Sequence, residues 1–201
     1  MRKIITPLLA GLLLSFALPI AAKPVINQPA PEFAAKDANG NMVALASLKG
    51  KTVILEWTNH ECPFVRKHYD SSNMQSLQKQ FVNDDTVWLT IISSAEGKQG
   101  FVSGTKANAL AKDRSASPSY TLIDASGDVG RAYAAKTTPH MYIIDAAGVL
   151  RYMGGIDSIR SADPADIPKA TNYISQAMSE LAAGKPVSQP VTKAYGCSVK
   201  Y

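Results

Sequence analysis

The chain has 201 residues, 46% of them hydrophobic, with 21 basic and 16 acidic side chains for a formal net charge of +5. That length suits a single domain with its own apolar core. The basic excess contains no Lys/Arg block and no basic-aromatic interleaving, which argues against a nucleic-acid partner.

Arg2 and Lys3, an apolar run from Ile4 to Ile20 and the small residues Ala21 and Ala22 read as a secretory signal peptide over residues 1–22. Pro7, Pro19 and the shortness of the run argue against an uncleaved membrane anchor. No cysteine follows the expected cut, so a lipoprotein anchor is not expected, and the mature protein is predicted to be periplasmic or secreted. Residues 23–185 form the predicted domain, and residues 186–201 form a C-terminal tail that carries Cys197.

After a lead containing Pro29 and Pro31 and a turn over Asp37 to Asn41, the apolar run Val53 to Trp57 predicts a central strand. Phe64 to Val82 has apolar residues at near-helical spacing and predicts one helix. Val87 to Ile92 is a second strand, Lys106 to Arg114 a helix, and Tyr120 to Ile123 a third strand. Val129 to Ala135 suggests one or two helical turns. Met141 to Ile144 and Val149 to Met153 flank Asp145-Ala146-Ala147-Gly148 as a hairpin, and Thr171 to Ala183 is a final helix stopped by Gly184-Lys185-Pro186. This order predicts an α/β fold, a central mixed β-sheet with helices on both faces, with parallel crossovers and an antiparallel edge.

Cys62 falls where the first strand passes through a short polar turn into a helix. Unpaired N–H groups and the positive end of the helix dipole stabilise a thiolate there, which is how a nucleophilic cysteine is made. The second cysteine, Cys197, permits one intramolecular pairing. Such a bridge reads either as a staple, stabilising by about 4 to 5 kcal/mol through closure of a long loop, or as a catalytic intermediate.

Three blocks carry a family resemblance. They are Ala30-Pro31-Glu32-Phe33 with Asp37, Gly40 and Leu48-Lys49-Gly50-Lys51; Glu56-Trp57 through Cys62-Pro63; and Thr137-Thr138-Pro139-His140-Met141-Tyr142-Ile143-Ile144-Asp145 with Gly148. Over about residues 28–183 the chain resembles the thioredoxin superfamily, in the redoxin branch of alkyl hydroperoxide reductase/thiol-specific antioxidant proteins and periplasmic thioredoxin-like proteins. The resemblance implies a thioredoxin-like fold and a cis Thr138–Pro139 bond facing Cys62, with Thr138 backbone groups free for an incoming substrate. It departs from the thioredoxin dithiol motif, because Val65 stands where the second cysteine would be. It also departs from the peroxiredoxin pattern, because Asn59 stands three residues before Cys62 and Thr58 is one step away.

The expected activity is that of a thiol-dependent oxidoreductase, by thiol-disulfide exchange or peroxide reduction, with no cofactor. Cys62 is the nucleophile and Cys197 its resolving partner, within the chain or across a homodimer; Thr138, Pro139 and His140 complete the site. The partners would be a protein or small-molecule disulfide, or a hydroperoxide, and an external thiol reductant. An imidazolium at His60 or His140 would acidify Cys62 further, whereas His60 also reads as a plain turn residue and His68 as surface or packing. The alternative is a protein without redox turnover that binds copper or zinc through His60, Cys62 and His140.

Overall fold

The computed structural model describes residues 23–201, so the predicted signal peptide lies outside the described residues. A five-stranded sheet of order β5-β4-β3-β7-β8 forms the centre, from β3 (Thr52–Trp57), β4 (Thr86–Ile92), β5 (Tyr120–Ile123), β7 (His140–Ile144) and β8 (Leu150–Gly154). β3, β4 and β5 run parallel because helices connect them, while β7 joins β3 antiparallel and β8 returns from β7 through the Asp145–Gly148 turn. The predicted thioredoxin-like mixed sheet with helices is therefore the fold observed.

Alternation along β3 divides the core in two. Val53, Leu55 and Trp57 join Tyr133 and Tyr142 on one face, with the Trp57 ring 5.4 Å from Tyr133 and 5.1 Å from Tyr142. Ile54 joins Cys62, Val65, Met141 and Ile143 on the other. Both faces are apolar because each is covered, as a sheet with parallel crossovers requires.

The single helix expected over Phe64–Val82 is two, α1 (Pro63–Asp70) and α2 (Asn73–Phe81). Ser71 turns its hydroxyl back to donate to the Lys67 carbonyl at 2.7 Å, and Ser72 takes a left-handed conformation. Short hydroxyl side chains compete for backbone partners in this way, which is why they break helices. The other helices, α3 (Gly104–Asp113), α4 (Asp128–Ala132) and α5 (Tyr173–Ala182), match their predicted positions within a few residues. Two small ladders were not predicted: β1 (Ala34–Lys36) with β2 (Met42–Ala44), and β6 (Thr137–Thr138) with β9 (Cys197–Ser198).

The C-terminal segment crosses the body under several restraints. Its backbone pairs with β8 around Met153, through Met153 N to Pro190 O at 3.0 Å and Thr192 N to Met153 O at 3.1 Å. Tyr195 then inserts beside α1, where its hydroxyl donates to Asp157 Oδ1 at 2.5 Å and its ring meets Phe64 edge-on at 5.8 Å. Lys67, fully buried, bridges Asp157 Oδ2 and the Ile159 carbonyl, both at 3.1 Å, and lies 3.4 Å from the Tyr195 hydroxyl. Beyond β9, Ala95 N donates to Lys200 O at 2.7 Å, the Tyr201 hydroxyl donates to Ala135 O at 2.7 Å, and the Arg131 guanidinium covers the Tyr201 ring at 4.7 Å.

Tyr195→Phe keeps the ring against Phe64 but removes one of the two donors to the buried Asp157 Oδ1, leaving only Ile159 N at 3.1 Å. The expected cost is about 1 to 3 kcal/mol of unfolding free energy, read from urea titration of the reduced protein; an unchanged midpoint and slope would exclude the clamp.

Candidate active site

The turn Asn59-His60-Glu61 places Cys62 directly before α1, with Pro63 as the first helical residue, a position where its missing N–H costs nothing. Asn59 Oδ1 accepts from Glu61 N at 2.9 Å, and Cys62 N donates to Asn59 O at 3.0 Å. From outside, Gly100 N donates to the Glu61 carboxylate at 2.8 Å and Arg114 donates to the His60 carbonyl at 3.0 Å, so the turn is held on two sides.

The Thr138–Pro139 bond is cis, and the Cys62 thiol donates to the Thr138 carbonyl at 3.1 Å. Thr138 is also in register with Cys197 across the β6–β9 ladder. Its backbone is therefore engaged by the chain's own C-terminal strand instead of standing open for a substrate. The strands approach closely because Gly196, at φ +131°, has no side chain: a Cβ there would collide with the Thr138 carbonyl. Cys62, Thr138, Pro139 and Cys197 thus share one place within a single chain.

Burial by itself raises the Cys62 pKa. Hydrogen bonds from the Cys197 side chain, from Thr138 and from the Cys197 and Val65 backbones outweigh it, and the thiol ends below the ordinary cysteine value. Cys197 moves the other way, pushed up to about 11 by burial, then by its hydrogen bond to Cys62 and the Cys62 charge, with Lys200 opposing. The two shifts run in opposite directions and favour the thiolate on Cys62 over Cys197.

His140 is separated from this group. It shares a sheet face with Tyr142, whose ring lies 4.6 Å from its own, and its Nδ1 is 3.3 Å from both Lys136 N and the Tyr142 hydroxyl. Burial and then the Lys136 ammonium lower its pKa to about 4, so it stays neutral and brings no cation to Cys62. His60 is also lowered, chiefly by burial. Among the described residues no group of three or more His, Cys, Asp or Glu side chains could hold a metal ion. That corrects the alternative reading of a copper or zinc set from His60, Cys62 and His140, since the sheet divides His140 from Cys62.

Two buried polar centres were missed in the sequence. Glu56, fully buried on the Ile54 side of β3, accepts from Tyr69 at 2.8 Å, Trp88 at 2.9 Å and Thr90 at 3.2 Å, and burial raises its pKa despite these bonds. Its place two residues after Ile54, on the same face of the strand, was the available signal. The second is the Lys67–Asp157–Tyr195 cluster, which His68 joins through Nε2 at 3.3 Å from the Tyr195 hydroxyl, while its Nδ1 lies 2.9 Å from Asn73 Nδ2. Burial, helped by Lys67 and opposed by Asp157, lowers His68 to about 4.

His68 and His140 make stability depend on pH. Between the ordinary value of 6.5 and about 4, the unfolded chain binds protons that the folded chain refuses, so unfolding free energy falls as pH falls through that window. The expected slope is on the order of 1 kcal/mol per pH unit for each histidine, measured by urea unfolding at pH 7 and pH 5.

Among solved structures, an uncharacterized conserved protein from Geobacillus kaustophilus superposes with a TM-score of 0.77 at 25% identity, covering 88% of this chain and 92% of that one. A hypothetical protein from Sinorhizobium meliloti 1021 gives 0.74 at 22% identity, covering 90% and 96%. The thioredoxin domain of a thiol-disulfide oxidoreductase from Bacteroides vulgatus gives 0.51 at 18% identity, covering 72% and 96%. No curated protein matches the chain. The AhpC/TSA family model matches residues 26–153, well over half the chain, and so this protein belongs to the AhpC/TSA family, the redoxin branch of the thioredoxin fold.

Proposed function

We propose that this protein is an exported thiol oxidoreductase that cycles Cys62 and Cys197 of one chain between dithiol and disulfide. The observation that carries this reading is the register of Cys197 with Thr138, whose carbonyl also receives the Cys62 thiol. The lowering of the Cys62 pKa, by hydrogen bonds that outweigh its burial, supports its role as the attacking thiolate.

In the oxidising half, the Cys62 thiolate attacks a hydroperoxide oxygen, the O–O bond breaks, and the departing alkoxide takes a proton. Cys197 then attacks the sulfenic sulfur, closing the disulfide and releasing water. A small disulfide enters by the same route: Cys62 attacks one of its sulfurs, one thiol leaves, and Cys197 displaces the other. Small oxidants suit the site better than a protein disulfide, because an extended protein segment would need the edge of Thr137–Thr138 that β9 occupies. Export rests on the charged, apolar and small-residue order of residues 1–22.

Peptide mapping of the reduced protein after one equivalent of hydrogen peroxide tests the cycle. The wild type should form the Cys62–Cys197 disulfide, and Cys197→Ser should stop at a Cys62 sulfenic acid that dimedone captures. Cys62→Ser should consume peroxide at least a hundredfold more slowly. A wild-type Cys62 that stays unmodified, or a bridge that mild thiols do not reopen, would replace the cycle with a structural role.

A further inference from the structure

The sheet face that carries Trp57 has a cavity that the thiol chemistry leaves unused. It measures about 460 Å³ and lies between residues 136–137, which lead into β6, and residues 191–194 of the tail. Tyr133, Tyr142 and Met153 give it apolar walls, Lys23, Lys136 and Lys193 give it positive charge, and no acidic side chain lines it. A mainly apolar cavity of this size with a few polar groups is the common form of a small-molecule site. We propose that it binds a small organic carboxylate with an apolar body, the carboxylate against His140 and the body against the tyrosine rings.

His140 supplies the directed contact. The Lys136 backbone N–H donates to His140 Nδ1 at 3.3 Å, and because a backbone nitrogen can only donate, the neutral ring carries its proton on Nε2. Among the described residues no group accepts that proton, and Nε2 is not sealed from solvent. The open space that the ring lines is the cavity. His140 is only 9% exposed. A donor so sheltered favours an ionised acceptor, since charge-assisted bonds gain strength where water is scarce.

The tyrosines offer no competing donor. The Tyr142 hydroxyl donates to Tyr133 O at 2.8 Å and the Tyr133 hydroxyl donates to Pro31 O at 2.7 Å, so both present ring surface to the cavity. The three lysines are exposed and act at the rim, where their attraction for an anion is screened by salt.

The site lies across the sheet from Cys62 and does not depend on the disulfide cycle. Its ligand nevertheless touches both segments that enter the β6–β9 ladder, so by mass action it would stabilise the docked tail.

The test is calorimetric titration of the reduced mature chain with naphthoate and with octanoate, each beside its uncharged amide, joined to imidazole NMR of the three histidines. At least one carboxylate should bind tenfold or more tightly than its amide and weaken as salt rises. It should also move the His140 Nε2 signal while that of the fully buried His68 stays in place. The double variant Lys136→Gln with Lys193→Gln should bind at least fivefold more weakly with an unchanged urea midpoint. Equal binding of acid and amide, a His140 signal that does not move, an affinity unaltered in the double variant, or no binding of either carboxylate at millimolar concentration overturns the assignment. Displacement by inorganic phosphate at equal concentration overturns it as well, because the apolar walls would then contribute nothing.

Discussion

The short antiparallel ladder between Thr137–Thr138 and Cys197–Ser198 is the contact on which the geometry of the site depends. It brings together two cysteines far apart in sequence, and it does so through backbone pairing at the one loop that also accepts the Cys62 thiol. Two residues a side could not hold such a junction alone, since an isolated hairpin of that size is marginal in water. The restraints on either flank supply the rest: Tyr195 is fixed before the strand by Asp157, and Tyr201 is fixed after it under Arg131.

The first restraint depends on buried charge. Lys67 and Asp157 are both withdrawn from solvent, a costly arrangement unless the pair is close and its remaining valences are filled. The Ile159 carbonyl and the Tyr195 hydroxyl fill them. A buried pair of this kind contributes little net stability compared with apolar packing, but it accepts only one partner geometry. The tail residue that completes it is thereby fixed in position beside α1.

The fold was largely legible from residue pattern. β-branched runs at Val53, Val87 and Tyr120 and the Asp145–Gly148 turn located the central sheet, and Cys62 before Pro63 located the start of α1. The helix break at Ser71–Ser72 escaped because the apolar spacing continues across it while hydroxyl competition for the backbone is local. The two small ladders escaped because strands of two or three residues carry no periodicity. His140 was misjudged for a definite reason: it adjoins Pro139 in sequence, but in a strand neighbouring side chains point to opposite faces. Cys197 could be named as a partner, whereas its register could not be read, because that depends on the absence of a side chain at Gly196 and on a clamp assembled from α1 and the segment after β8.

The position of β9 also bears on how the chain acquires its chemistry during synthesis. Residues 26–153, the span of the family match, contain the central sheet up to Met153 of β8, Cys62 and the cis-proline loop. They can collapse while residues 195–201 are still being made, since domains fold as units when enough chain has emerged. Until those last residues arrive, the nascent protein presents a single thiol beside an unpaired Thr137–Thr138 edge. Docking of the tail closes that edge and brings Cys197 into register with Thr138 at the same moment.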